Sequence, residues 1–523
     1  LVDVFLHLPF SNRPTLLITN FWNPESHHLL VALSCPSLFR DTTAWHFSII
    51  TLVFFIRKSL GNPTSKMKSI AAISALAALT VVSAKPTATE REAPIKARSL
   101  PVVSASGNAF YADGTRFYVR GIDYQPGGSS ANIDPLADTT ICGRDIPKFK
   151  DLGVNTIRVY SVDNSKDHKD CMQQLADAGI YLVADVNNPK YSINRADPHP
   201  SYNAVYLQSV FATVEEFAQY DNTLAFFSGN EVIHDEANTT LTAPYVKAVT
   251  RDIKNYMASR GLRHVPVGYS AADVADNRMQ SAAYFNCGSD DARSDFFAFN
   301  DYSWCSSSFK QSGWDVKVKN FTDYGIPIFL SEYGCNTNTR NFGEIEALMN
   351  SEMTGVYSGG LMYEYSMEAN KYGIVEIDGN DVKELDEYAN FKSALSKYPT
   401  PTGDAGAAKT SHSVDCPTSD SVWMVNPTQI PTIPEEAEKY MTKGAGDGPG
   451  LNGDGSQTAG DSASEGETTG GTASPTASSG SSSGASGSAN AAAGMTFGGP
   501  IEKAPMAIAG LTAMFTMFGA FLL

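Results

Sequence analysis

The chain has 523 residues, 42% of them hydrophobic and 11% aromatic, enough for one large domain or two ordinary ones with a buried core. Its formal charge of −17 argues against a nucleic-acid partner, which needs a basic face. The acidic excess is spread along the chain and reads as a solubility feature.

Residues 1–66 precede the first methionine, Met67, and carry an apolar run at 47–55. The simplest reading is an upstream gene-model extension, with an N-terminal anchor as the alternative. From Met67 a short basic start, an apolar run over 70–82 and the small-residue site Val82-Ser83-Ala84 predict a secretory signal peptide at 67–84. A core helix is the alternative there.

Between about 100 and 400, eight short apolar runs recur, near 116–124, 156–162, 181–186, 224–231, 264–271, 296–302, 327–334 and 360–367. Segments of helical periodicity separate them. Two of these, "CGRDIPKFKDLG" and "CMQQLADAGI", run into Gly153 and Gly179, a usual helix stop. Near-continuous apolar strands alternating with helices predict an α/β fold, a (β/α)8 TIM barrel. A doubly wound open sheet is the alternative, but the Gly-rich phosphate turn expected after its first strand is missing.

From about 401 to 490 the sequence turns to Gly, Ser, Thr, Ala and Pro, as in "GGTASPTASSGSSSGASGSAN", and predicts a disordered, O-glycosylated stalk. The small residues Asn490-Ala491-Ala492, a short spacer and an apolar end predict a glycosylphosphatidylinositol (GPI) attachment signal over 491–523, with Asn490 as the site. A transmembrane helix is the alternative, though no basic stop-transfer residues follow the run. Sequons at Asn238 and Asn320 fit a secreted chain. Of seven cysteines, six lie between Cys142 and Cys416, an even set that suggests disulfides. Sequence alone permits 15 pairings of six. Cys35 lies in the upstream extension.

In a TIM barrel the chemistry sits at the C-terminal ends of the strands. Here those ends are polar: Asp123-Tyr124-Gln125, Arg158 and Tyr160, Asp185, Asn230-Glu231, Tyr302, Glu332-Tyr333 and Tyr363-Glu364-Tyr365. Two apolar runs, the fourth and the seventh, end directly in glutamate, in "AFFSGNEVIH" and "IPIFLSEYGC". A glutamate at one strand end could be a surface acid or an ion-pair partner. Two facing each other across one mouth make the carboxylate pair that glycosidic bond cleavage needs, one to protonate the leaving oxygen and one to attack or guide water.

The stretches "FFSGNEVIHD", "FLSEYGC", "GIDYQPG", "IRVYSVD", "ADVNNP", "YSAADVADNR" and "GGLMYEYS" resemble the fungal β-1,3-glucanosyltransferases of glycoside hydrolase family 72 over roughly residues 100–400. The secreted, stalked, lipid-anchored layout resembles the same family. The resemblance implies a retaining enzyme at the cell surface, lipid-anchored on the outer face of the plasma membrane or in the cell wall. It would cut a β-1,3-glucan internally and join the new reducing end to another glucan, with no metal or cofactor. Carried over by motif, Glu231 is the acid/base, Glu332 the nucleophile, and Asn230 holds the sugar's 2-hydroxyl. Tyr124, Gln125, Tyr160, Asp185, Asp273, Arg278, Tyr302, Tyr363 and Tyr372 are expected in the glucan groove. Asn187, Asn188, Tyr191, Asn194 and Arg195, in the loop "NNPKYSINR", form its donor-side wall. Any one of the 23 tyrosines could instead be a core residue.

The phenol of Tyr302 is expected to donate to Glu332 and keep it ionised. By the same resemblance Cys142 pairs with Cys171, Cys287 with Cys416, and Cys305 with Cys335. Some members carry a Cys-rich carbohydrate-binding module after the barrel. Only Cys416 follows Cys335 here, so glucan affinity is expected to come from the groove. A hydrolytic endo-β-1,3-glucanase and a non-catalytic wall adhesion protein are the alternatives.

Overall fold

A strand buried on both faces must be apolar throughout, and eight such strands close into a parallel barrel in the computed structural model of the chain. The structure describes residues 100–457 and 459, together with the backbone of three upstream strands. The barrel strands are β1 (Val119–Asp123), β2 (Thr156–Val159), β3 (Tyr181–Asp185), β4 (Thr223–Asn230), β5 (Val267–Ala272), β6 (Phe296–Asp301), β7 (Ile328–Tyr333) and β8 (Tyr357–Met362). Each pairs with the next, and β8 returns to β1. This is the (β/α)8 barrel expected from the apolar runs.

Two boundaries differ. The first run splits: Thr115–Phe117 joins Val103–Ser106 and Ala109–Ala112 in a small antiparallel sheet, and only the remainder enters the barrel. The last run leaves the barrel at Met362, so Tyr363-Glu364-Tyr365 begin the following loop. The small sheet closes the bottom of the barrel. Phe110 meets the rings of Phe296 and Phe329 edge-on, at centroid distances of 5.8 and 5.9 Å. Burial of such rings supplies most of the stability of a barrel interior.

The helices start and stop where local chemistry directs. Asp138 caps helix Thr139–Leu152, accepting from the Thr140 N–H at 2.7 Å. Gly153 and Gly179 take left-handed φ values of 78° and 81° and end the first two helices of the barrel. Register then decides which side chains become neighbours at the mouth. Asp123 lies beside Arg158, Asn230 beside Ser270, and Asn300 beside Glu332.

The three disulfides are Cys142–Cys171, Cys287–Cys416 and Cys305–Cys335, the pairing implied by the family resemblance. The first joins two helices next to β1 and β2. The last clamps the loops that follow β6 and β7.

The expectation of an unstructured stalk from residue 401 needs correction. Residues 401–457 pack on the flank of the barrel. Trp423 is fully buried 5.6 Å from the ring of Tyr284, and helix Glu435–Lys443 lays Tyr440 against Phe211. Average composition concealed this, because a few large apolar residues, widely spaced, anchor the segment between its glycines and prolines. The rest of the stalk, Asn490, the tail over 491–523 and the signal segment 67–84 lie outside the described residues.

The upstream unit, taken by itself, forms an antiparallel sheet of Leu17–Asn23, His28–Asp41 and Ala44–Arg57. Among the described residues no helix is long and apolar enough to cross a membrane.

Candidate active site

Glu231 stands one residue past β4, where the strand register slips between Phe227 and Asn230. Its backbone is left-handed, with φ of 47°, uncommon for a residue with a Cβ. A slip of this kind re-aims a side chain at a barrel rim. Four hydrogen bonds hold the conformation. The Glu231 N–H donates to Ser270 O at 2.8 Å, Arg195 donates to the carbonyls of Glu231 and Val232, and Asn300 Nδ2 donates to Glu231 Oε1 at 2.9 Å. Below lies a polar layer spanning four strands. Ser270 Oγ is 2.7 Å from Asn230 Oδ1 and 2.8 Å from Ser331 Oγ, and Ser331 Oγ is 2.7 Å from Asn300 Oδ1. With its Oδ1 so occupied, Asn230 keeps its amide NH2 to offer to a hydroxyl.

Glu332, on β7, is 5% exposed and accepts from three donors. Tyr302 OH reaches Oε2 at 2.6 Å, Tyr160 OH reaches Oε1 at 2.8 Å, and Arg158 Nη1 reaches Oε1 at 3.1 Å. Arg158 is itself fully buried, forks onto Asp185 at 2.8 and 3.2 Å, and lies over the rings of Tyr160 and Phe227. Burial pushes the Glu332 carboxyl up to about 7, and the charge of Glu231 adds to the rise. Arg158, Tyr302 and Tyr160 pull the other way. The hydrogen bond from Tyr302 is therefore present and acts in the expected direction, but burial outweighs it, so it does not keep the Glu332 carboxyl in the ordinary ionised range.

Removing that donor has a defined sign. Tyr302→Phe keeps the ring and deletes the hydroxyl, so the Glu332 pKa rises further. The acid limb of kcat/KM should move to higher pH with a clear drop in the maximal rate. A variant that only binds substrate less well, on an unshifted limb, would assign Tyr302 to packing alone.

Two further acids lie close by. Asp123 is fully buried, burial raises its pKa, and neither carboxyl oxygen has a hydrogen-bond partner. Glu364 is pushed up to about 8 by burial, with Asn370 Nδ2 donating to it at 2.8 Å. A single guanidinium cannot neutralise this many carboxylates, so the surplus is relieved by protonation.

Tyr160, Asp185, Asn187, Asn188 and Asn230 line one cleft at the mouth. Tyr363 stands edge-on to Tyr160, Tyr302 and Tyr372, at 6.4, 6.2 and 5.3 Å, an aromatic cluster beside Glu332. Asp273 and Arg278 pair with each other on the β5 side, where Lys317 bridges Asp273 and Asp301 at 2.5 Å each. Arg195 acts on backbone, as described.

Four expected groove residues are placed elsewhere. Tyr124 is fully buried behind β1 with its hydroxyl 2.7 Å from Asp145, because the pleat that turns Asp123 inward turns its neighbour outward. Gln125 is 1% exposed, and its Oε1 accepts the N–H groups of Tyr160 and Ser161, fastening β1 to the next loop. Tyr191 is 1% exposed, beneath the C-terminal segment. The Asn194 side chain accepts the Ala196 N–H and shapes a turn. The strand-end pattern flagged Arg158 without giving it a role, and it missed Asn300, although "FND" ends β6 much as "GNE" ends β4. The sequon residues Asn238 and Asn320 are both exposed.

Residues 93–399 match the family model described as glucanosyltransferase, glycoside hydrolase family 72. The chain is 60% identical over 391 residues to the 1,3-beta-glucanosyltransferase gel1 of Aspergillus fumigatus, covering 74% of this chain and 84% of that one. It is 54% identical over 355 residues to the 1,3-beta-glucanosyltransferase GAS5 of Saccharomyces cerevisiae, covering 66% and 73%. Among solved structures it is similar to a Glu-to-Gln variant of Saccharomyces cerevisiae Gas2p in complex with laminaritetraose and laminaripentaose. There the identity is 38% and the TM-score 0.60, over 65% of this chain and 76% of the other.

Proposed function

The chain belongs to the glucanosyltransferases of glycoside hydrolase family 72, and from that membership we infer that it is a β-1,3-glucanosyltransferase that remodels cell-wall glucan. The site residues take the roles that their family motifs imply. Glu332 is the nucleophile. Glu231, partly buried one residue past β4, is the acid/base. A carboxylate oxygen of Glu332 attacks the anomeric carbon while the glycosidic C–O bond breaks and the proton of Glu231 passes to the departing oxygen. In the second step Glu231 takes the proton of an acceptor glucan hydroxyl. That oxygen attacks the same carbon and releases Glu332, so two inversions give net retention. Asn230 donates to the 2-hydroxyl, a contact that strengthens in the transition state. The observation that carries this reading is the asymmetry of the pair, with Glu332 gripped by three donors in the floor and Glu231 carried above it on a strained rim residue.

Transfer and hydrolysis differ only in what attacks the second time. Incubation with a reduced laminari-oligosaccharide separates them: products longer than the substrate are expected. Shorter products alone would mean a hydrolase. An unaltered oligosaccharide would mean a non-catalytic wall protein.

The protein acts outside the cell, in or at the wall, and the lipid that replaces the removed GPI signal at 491–523 holds it on the plasma membrane. Deleting the last twenty residues should release active enzyme into the medium. A truncated chain that still sediments with membranes would require another anchor.

A further inference from the structure

We propose that residues 444–457 are a positioning strap for the glucan groove, locking together the mouth loops that follow β1, β2 and β3 and so setting how tightly a long glucan is held. This rests on the reading of the groove as a glucan site. The family match ends at residue 399, well short of the segment.

The strap touches all three loops. On the loop after β1, Asn132 Nδ2 donates to Leu451 O at 2.6 Å. On the loop after β2, the Gly450 N–H donates to Asn164 Oδ1 at 2.9 Å. The loop after β3 is held most closely. Lys190 Nζ donates to Gly453 O at 3.0 Å, the Ser456 N–H donates back to Lys190 O at 3.0 Å, and Gln457 Nε2 donates to Ser192 Oγ at 2.8 Å. Asn203 Nδ2 completes the set, donating to Ser456 O at 2.7 Å. These loops also supply the cleft, through Ser129, Tyr160, Asn187 and Asn188.

The fit is steric as well as polar. A Cβ on Gly453 would lie 2.0 Å from Tyr191 OH, and one on Gly450 would lie 2.6 Å from Asp163 Oδ1. Gly450 also has φ of 62°, which favours glycine. The strap is anchored at its start, where the Ala445 N–H donates to Tyr256 OH at 2.7 Å and Gln208 Nε2 donates to Ala445 O at 3.1 Å. Within the described residues, no hydrogen bond joins the strap to Glu231, Glu332 or the groups that hold them.

Mouth loops of a barrel are otherwise its most mobile parts. The loop after β3 has little regular structure of its own, a single bridge between Asn188 and Tyr191 and a short helical turn at Pro198–Ser201. Holding it before substrate arrives removes an ordering cost from binding. The strap makes no direct contact with either reacting carboxylate, so its main effect is on affinity, through the loops that form the cleft.

The test uses the full chain carrying Gly450→Val and Gly453→Val together. KM for long laminari-oligosaccharides should rise about tenfold, with kcat within about twofold and an unmoved pH profile. The same loss should appear as weaker laminarihexaose binding by calorimetry when the pair is placed in a Glu231→Gln background. That second measurement does not depend on the fate of the glycosyl intermediate, so failure of the transferase reading appears separately, as absence of elongation by the unaltered protein. Unchanged KM and affinity would overturn the proposal, as would a fall in kcat with KM unaltered. Where the valine pair prevents secretion, Asn132→Ala with Gln457→Ala trims two contacts without a clash. A rise in KM of about threefold is then expected, and none would overturn the proposal.

Discussion

Glu332→Gln yields a folded protein without measurable transfer on any donor, while Glu231→Gln loses about 10²–10⁴-fold on glucan and much less on a donor whose leaving group needs no proton. The difference follows from the two tasks. A carboxamide cannot attack the anomeric carbon, whatever the leaving group. The loss at Glu231 can be bypassed in the first step by a good leaving group. Folding should survive in both. At Glu332 the amide oxygen can take the place of Oε1, facing Arg158 and Tyr160, while the amide NH2 faces Tyr302, whose hydroxyl can turn from donor to acceptor.

Stability carries a second signature. A buried carboxyl raised from 4.5 to about 7 binds its proton more tightly in the folded state. That group therefore makes stability fall as pH rises from about 4.5 to about 7, and the Gln variant should lack this part of the slope. A Glu332→Gln protein that keeps more than about a tenth of the wild-type rate would remove the residue from the mechanism.

Arg158→Met carries the largest expected stability loss. The substitution leaves Asp185 and Glu332 buried with no cation between them, and breaking a buried ion pair on one side typically costs about 3–5 kcal/mol. The loss should be greatest near pH 8 and shrink toward pH 5. Both carboxyls already sit above their ordinary values through burial, and without the guanidinium they rise further, so acid lets them shed charge. Denaturant midpoints at the two pH values measure this. A loss of equal size at both would mean that Arg158 contributes by packing over Tyr160 and Phe227, not by charge.

The strands and the two glutamates were legible in the sequence for one reason. A strand buried on both faces cannot hide a charged residue, so the acid that ends "FFSGNE" or "FLSE" stands out against its own run. What followed the strands was less legible. Tyr124 and Tyr160 look alike as strand-end tyrosines, yet the pleat sends one into the core and the other to Glu332. Tyr191 reads as a wall residue until the C-terminal segment is seen to cover it. Arg158 reads as one more polar strand end, because its partners lie 27 and 174 residues away. The packed segment 401–457 is illegible in the sequence because Trp423, Tyr440 and Leu451 are too far apart to form any period.

The Cys287–Cys416 bridge closes a span of 129 residues and ties β5's following helix to a segment made after the last barrel strand. Its consequence is for maturation. The second thiol emerges from the ribosome only after the whole barrel, so the bond can close only on a barrel already made. A product ending near residue 400 would leave Cys287 an unpaired thiol, uncovered where the missing segment packs, beside Lys247, which donates to Cys287 O at 2.7 Å. It would also lose a cross-link which, for a loop of this length, is worth about 4–5 kcal/mol. Both defects, an unpaired sulfhydryl and a loosened fold, favour misfolding and degradation. Recombinant preparations cut at the catalytic domain's apparent end should therefore be retained and degraded, and expression vectors for this protein need to extend past the cysteine that seals it.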